Sequence, residues 1–322
     1  MWTFSTDKKT GVIVRDVTVN TKKGGDPIKI IQITDVHLNY CNEKDLLNPT
    51  LASSYQNRKW LRLEKEGEEV RKGRALRNLE SCMAYINGES PDKLVITGDI
   101  FDYLSDGIAQ LAERYIYEPY PTALACLGNH EAVQKMQGEV EESLTYEERI
   151  SMLESYWHND IYYVSEVLGD KVMLVVMDNS SVCKGYGAFS DGQVRRLSAD
   201  LERAREQGLC VLLFYHIPLA TENPEHTPAH AEPFVKGDAG TAAWDFSVKG
   251  INSTYEGASG EMYRLITSNA DVIAAAFCGH KHNDFCLDIR AKTQDGSEAV
   301  IPQYVLIGTP YGTGNVLRIT VN

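Results

Sequence analysis

Five short apolar, β-branched runs punctuate the chain, at residues 29–34, 93–97, 122–127, 209–215 and 271–278. Each is too short for a buried helix and reads as a buried strand. Weaker runs near 161–166, 172–177, 285–289, 303–307 and 315–321 are expected as hairpin partners. Helical spacing of apolar residues predicts helices over 68–87, 146–156, 190–207 and 260–268. Ser190 and Gln193 form a capping-box pattern at the start of the third, and Gly208 supplies its C-terminal stop. Together these elements predict an α/β (α+β) fold in which two packed mixed β-sheets are flanked by helices, an αββα sandwich. Residues 1–27 are expected as an N-terminal strand or extension, and 28–322 as a single domain. Two stretches of weak periodicity, near 40–67 and 218–257, are expected as inserted loops that wall a site.

Residues able to carry chemistry cluster where the five strong runs end. The first run stops at Asp35-Val36-His37 and the second at Gly98-Asp99-Ile100-Phe101-Asp102. The third reaches Gly128-Asn129-His130-Glu131, the fourth His216, and the fifth Gly279-His280-Lys281-His282. In open α/β sheets, ligands collect beyond the carboxyl ends of strands. Imidazole suits zinc, iron and manganese, whereas carboxylate and amide oxygens bring in harder ions and can bridge two of them. No block contains a thiolate, which argues against a closed structural zinc site. Two adjacent metals polarise a phosphoryl group and generate a nucleophile from water, so phosphoester hydrolysis is the natural reaction class.

Composition narrows the partners. A formal net charge of -13 disfavours a nucleic-acid backbone over most of the surface. Hydrophobic content of 43% supports a sizeable core. Seven cysteines without regular spacing describe no disulfide framework, and no apolar run approaches the ~20 residues of a membrane span. A reduced, cytoplasmic setting is the expectation, with export open if a leader has been removed. Oligomeric state does not follow from the sequence.

These blocks, in this order, resemble the calcineurin-like metallophosphoesterase superfamily, whose pattern is Asp-x-His, Gly-Asp-x-x-Asp, Gly-Asn-His-Glu/Asp, His and Gly-His-x-His. The resemblance runs from about residue 28 to 320. It implies that Asp35, His37 and His282 hold one metal, that Asn129, His216 and His280 hold the other, and that Asp99 bridges both. The ions are iron, manganese or zinc. A metal-bridging water or hydroxide is then the nucleophile, His130 the general acid for the leaving alkoxide, and Asp102 the carboxylate that orients it. The substrate is expected to be a small phosphomonoester or phosphodiester.

Asp102 stands where purple acid phosphatases have tyrosine, and Tyr103 where protein serine/threonine phosphatases usually have arginine. The block from Gly279 to Phe285 is similar to that of a purple-acid-phosphatase-like or phosphohydrolase branch. Gly98 to Asp102 also matches recombination nucleases of the superfamily, which keeps a DNA-end nuclease as an alternative. A noncatalytic scaffold on the same fold is the other alternative. Its members usually lose ligands or the acid histidine, and this chain keeps both. Asn39, Tyr40 and Asn283 adjoin ligand blocks, whereas Glu131, His158, His226 and His230 are assigned no chemistry.

Overall fold

The computed structural model describes residues 2–66, 69–136, 141–180, 189–219 and 257–322. The first sheet contains β1 (Thr3–Thr6), β2 (Ile13–Val19), β3 (Ile28–Ile33), β6 (Lys93–Thr97), β7 (Leu124–Cys126) and β14 (Asn315–Val321). Its order is β1-β2-β14-β3-β6-β7, with β3, β6 and β7 parallel. β14 pairs in parallel with β2 and antiparallel with β3.

The second sheet runs β12-β13-β11-β10-β9-β8. Its strands are β8 (Tyr163–Leu168), β9 (Val172–Met177), β10 (Cys210–Phe214), β11 (Ile273–Cys278), β12 (Phe285–Lys292) and β13 (Glu298–Val305). The four central strands are parallel, while β8 and β12 close hairpins at the two edges.

Side-chain alternation partitions the core. In β9, Val172, Leu174 and Val176 enter the layer between the sheets, whereas Met173, Val175 and Met177 face the outer helices. β10 repeats this, sending Leu212 and Phe214 inward and Val211 and Leu213 outward. A period of two with both faces apolar is what a strand covered on both sides requires. Phe214 stacks on Phe277 at 5.0 Å in the inter-sheet layer. Gln32 of β3 crosses the same layer, donating to the carbonyl of Cys278 at 3.2 Å.

Helices α2 (Arg74–Glu89), α3 (Asp106–Ala112) and α4 (Tyr146–Tyr156) cover the first sheet, and α5 (Asp191–Gln207) and α6 (Gly257–Thr267) the second. The result is the expected αββα sandwich. α4 has the predicted bounds, and α5 has both halves of its Ser190/Gln193 capping box and a left-handed Gly208.

Helix α2 starts six residues later than its apolar spacing predicts. Two short strands instead pair there, β4 (Glu64–Glu66) antiparallel with β5 (Glu69–Arg71). Gly73 then starts the helix in close contact, since a Cβ there would stand 2.1 Å from the carbonyl oxygen of Leu61. The 40–67 stretch also holds a helix, α1 (Pro49–Gln56). Asn48 caps it by accepting from the amides of Thr50 and Leu51, and Pro49 supplies a fixed φ at its first turn. Of the second expected loop, residues 220–256 lie outside the described residues, and with them His226 and His230. No helix among the described residues is long and apolar enough to cross a membrane.

Candidate metal centre

Ligand blocks leave the carboxyl ends of β3, β6 and β7 in one sheet and of β10 and β11 in the other, and all meet at one end of the sandwich. Asp35, His37, Asp99, His280 and His282 all have positive φ, between 47° and 71°. Non-glycine residues avoid this region unless surrounding structure enforces it, and such strain concentrates at functional sites. Gly279 and Gly128 allow the turns to close. A Cβ on Gly279 would lie 1.9 Å from Oγ1 of Thr34, and one on Gly128 2.2 Å from Oδ1 of Asp99.

Two donor groups form. In the first, Nε2 of His282 lies 3.0 Å from Oδ1 of Asp35 and 3.1 Å from Nε2 of His37. In the second, Oδ1 of Asn129 lies 2.9 Å from Nδ1 of His280 and 3.2 Å from Nε2 of His216. Oδ2 of Asp99 stands between them, 3.3 Å from Nε2 of His216 and 3.7 Å from Nε2 of His37. All seven ligand residues expected from the sequence are therefore brought together.

The protein engages the far side of each donor. Oδ2 of Asp35 accepts from Thr34 and from the amide of His280, which also reaches Oδ1 at 3.2 Å, and Oδ1 faces the cluster. Oδ1 of Asp99 accepts the amide of His130, leaving Oδ2. Nδ1 of His216 is 2.7 Å from the carbonyl of Thr97, which can only accept, so in the neutral ring Nε2 carries the lone pair. That lone pair faces two oxygen acceptors with no donor between them. Either a proton on Nε2 or a metal cation resolves such a meeting of lone pairs, and the mixed N/O set fits a divalent transition ion at each group.

The electrostatics agree. Burial favours a neutral Asp35, but His282 and His216 hold its carboxyl well below the usual range. Asp99 behaves likewise, with His216 and His130 overcoming its burial. Burial keeps His37 and His280 below the ordinary imidazole value, which leaves neutral rings ready to coordinate. His216 is the exception. Burial opposes its charge, yet Asp99 and Asp35 override it and push the imidazole up to about 10, so the metal-free site takes up a positive charge at this point.

The His130 ring belongs to neither donor group but packs edge-on against His37, with centroids 4.7 Å apart. Its Nδ1 is 2.9 Å from the backbone carbonyl of Asp102, and the Asp102 carboxylate is 3.8 Å away. That carboxylate is shared among Arg58 Nη1 at 3.0 Å, Asn39 Nδ2 at 2.9 Å and Nδ1 of His37 at 3.2 Å. The approach to His37 does not make a hydrogen bond, and its buried Nδ1 has no other hydrogen-bond partner among the described residues. Asp102 thus meets His130 chiefly through its main chain.

Four residues beyond the expected set support the centre. Glu131 is buried and accepts the amides of Asp99, Phe101 and Gly128 at 3.1, 3.1 and 2.6 Å, tying two ligand turns together. Burial and the nearby Asp99 push its carboxyl up to about 8. Arg58 holds Asp102, and the Tyr311 hydroxyl lies 2.8 Å from Nδ1 of His282. Asn179 clamps the His216 turn by bonding both backbone groups of Ile217. Glu131 closes the third ligand block itself, whereas no spacing in the sequence links Arg58, Tyr311 or Asn179 to the blocks.

An αββα sandwich with an N/O donor set at its strand ends defines a metallophosphoesterase-type protein. Residues 28–284 match the family described as calcineurin-like phosphoesterase, and the chain belongs to that family. Among curated proteins no sequence matches this one. A dimetal phosphatase from Danio rerio aligns over 88% of this chain and 88% of its own at 15% identity, with a TM-score of 0.48. A purple acid phosphatase from yellow lupin (Lupinus luteus) seeds aligns over 92% of this chain at 10% identity, with a TM-score of 0.45. This chain spans 44% of the lupin protein.

Proposed function

We propose that this chain is a dinuclear-metal-dependent hydrolase of small phosphoesters. The observation that carries the reading is the position of Asp99 Oδ2, within 3.7 Å of an imidazole from each donor group. Asp35, His37 and His282 would hold one ion and Asn129, His216 and His280 the other, with Asp99 serving both. Bound there, such a pair supplies Lewis-acid polarisation of the phosphoryl oxygens and activates water.

The remaining chemistry belongs to side chains that need no metal contact. The Asp102 carbonyl fixes the proton of His130 on Nδ1, so Nε2 is the atom that faces the site, 3.9 Å from Oδ2 of Asp99. A second ring proton, on Nε2, is the one given to the leaving oxygen, the role of a general acid, and the ring keeps the Nδ1 proton throughout. Because its anchor is main chain, the ring stays oriented whatever the protonation of neighbouring carboxylates. The Asp102 carboxylate, kept ionised against its burial by His37 and Arg58, draws the 58 region and the His37 turn onto one point.

The test is a panel of aryl mono- and diesters, nucleotides, cyclic nucleotides and phospholipid head groups, run beside elemental analysis. Turnover that tracks metal content is expected. A metal-replete protein that hydrolyses none of them would overturn the proposal.

A further inference from the structure

Residues 57–61 form a strap beside the metal centre, and its side chains are fixed at both ends. Arg58 has a φ of 43° and reaches the Asp102 carboxylate at 3.0 Å. Leu61 is fully buried, and the carbonyl of Trp60 accepts the amide of Arg74 at 2.8 Å. Between these anchors Trp60 remains 44% exposed. The indole is thus held from behind by the strap while part of its surface stays open to solvent beside the metal centre.

The ring is also pre-positioned. Its centroid is 6.0 Å from that of Tyr311, and the Arg74 guanidinium lies 5.5 Å from it. Tyr311 in turn lies 5.1 Å from the His282 ring and bonds its Nδ1. A continuous line of rings therefore leads from a metal ligand out to Trp60. Aromatic faces at such spacings accept a further planar ring in offset or edge-on contact.

We infer that Trp60, backed by Tyr311, is the specificity platform of this site, selecting phosphoesters whose ester group carries a planar ring, as aryl and nucleoside phosphates do. This rests on the hydrolase reading for the place of the phosphoryl group, and it concerns what lies beyond that group. The ring of the ester packs on the indole while the phosphoryl group faces the donor cluster.

Phosphonates, whose P–C bond resists hydrolysis, test this by binding alone. Manganese-loaded full-length protein is titrated with methylphosphonate, with phenylphosphonate and with an adenosine phosphonate. The ring-bearing probes are expected to bind about tenfold tighter than methylphosphonate, the scale of one aromatic stacking contact. Trp60→Ala should remove that preference while leaving methylphosphonate affinity unchanged, and Trp60→Phe should restore most of it. A preference for the adenosine probe over the phenyl probe would assign the platform to nucleosides, and the reverse to aryl groups. Equal binding of all three probes overturns the inference, as does a preference that survives in Trp60→Ala or an equal loss for all probes. The readout is independent of turnover. An inactive protein with ring preference would count against hydrolysis alone, and an active one without it against the platform alone.

Discussion

Oδ2 of Asp99 stands 3.3 Å from Nε2 of His216, and both side chains are buried. Without metal, burial is outweighed by Asp99 and Asp35, and the imidazole is pushed from 6.5 up to about 10. A raised value means that the proton stabilises the metal-free fold fully below about pH 6.5 and that this contribution is lost as pH rises through about 10. A cation coordinated by Nε2 needs the neutral ring, so the proton and the metal compete. Metal affinity should therefore climb between about pH 6 and about pH 9, with release of about one proton at this half of the centre. Calorimetry in buffers of different ionisation heat measures the release. Binding without it would remove His216 from the ligand set.

The His130 ring belongs to neither donor group, touching them edge-on at His37 and through its own amide on Asp99, and its imidazole should be separable from metal binding. His130→Ala is expected to keep full metal content and lose activity by about 10²–10⁴-fold, the range for a general acid. Elemental analysis and turnover of an aryl phosphate settle it together. Parent-like turnover would assign the proton to another group.

Glu131 holds three buried amides, and each donor left unpaired costs about 1–3 kcal/mol. Glu131→Ala should accordingly lower unfolding free energy by at least about 3 kcal/mol. Glu131→Gln keeps one acceptor oxygen and should lose less. Chemical denaturation of the metal-free forms provides the comparison, and an alanine variant within about 1 kcal/mol of the parent would show that water replaces the carboxylate.

Gly279 has no room for a methyl group, since Thr34 Oγ1 and Asp35 Oδ2 lie 1.9 and 2.3 Å from its ideal Cβ. Gly279→Ala should displace Asp35 and cost the ion expected at Asp35, His37 and His282. Metal content near half that of the parent is the expected result. A fully loaded variant would mean that the turn can move without breaking that half of the centre.

The buried strands and the residues at their ends were legible because both are local signals. An apolar run and the turn after it lie within ten residues, and their period is set by backbone geometry. β9 and α4 matched to the residue for the same reason. α1 was missed although Asn48 and Pro49 marked its start, because Pro49–Gln56 spans too few turns to show a period. The supporting residues were illegible for another reason. Arg58 lies 44 positions from Asp102, and Tyr311 lies 29 from His282, so only the closed fold relates them. The dyad expected between His130 and the Asp102 side chain shows a further limit. Sequence names the residue but does not say that its carbonyl makes the shorter contact.

The strand Asn315–Val321 lies between β2 and β3 in the first sheet. During synthesis the ribosome must therefore pass the last strand before β3, the strand that delivers Asp35 and His37, gains its neighbour on that side. The second sheet and the turns carrying His216, His280 and His282 emerge earlier than this closing strand. Such a long-range pairing is slow and comes late. Until then β3 is backed only by β6, whose Gly98 and Asp99 carbonyls already hold the amides of Asp35 and His37, and metal taken up earlier would meet a ligand turn supported on one side alone.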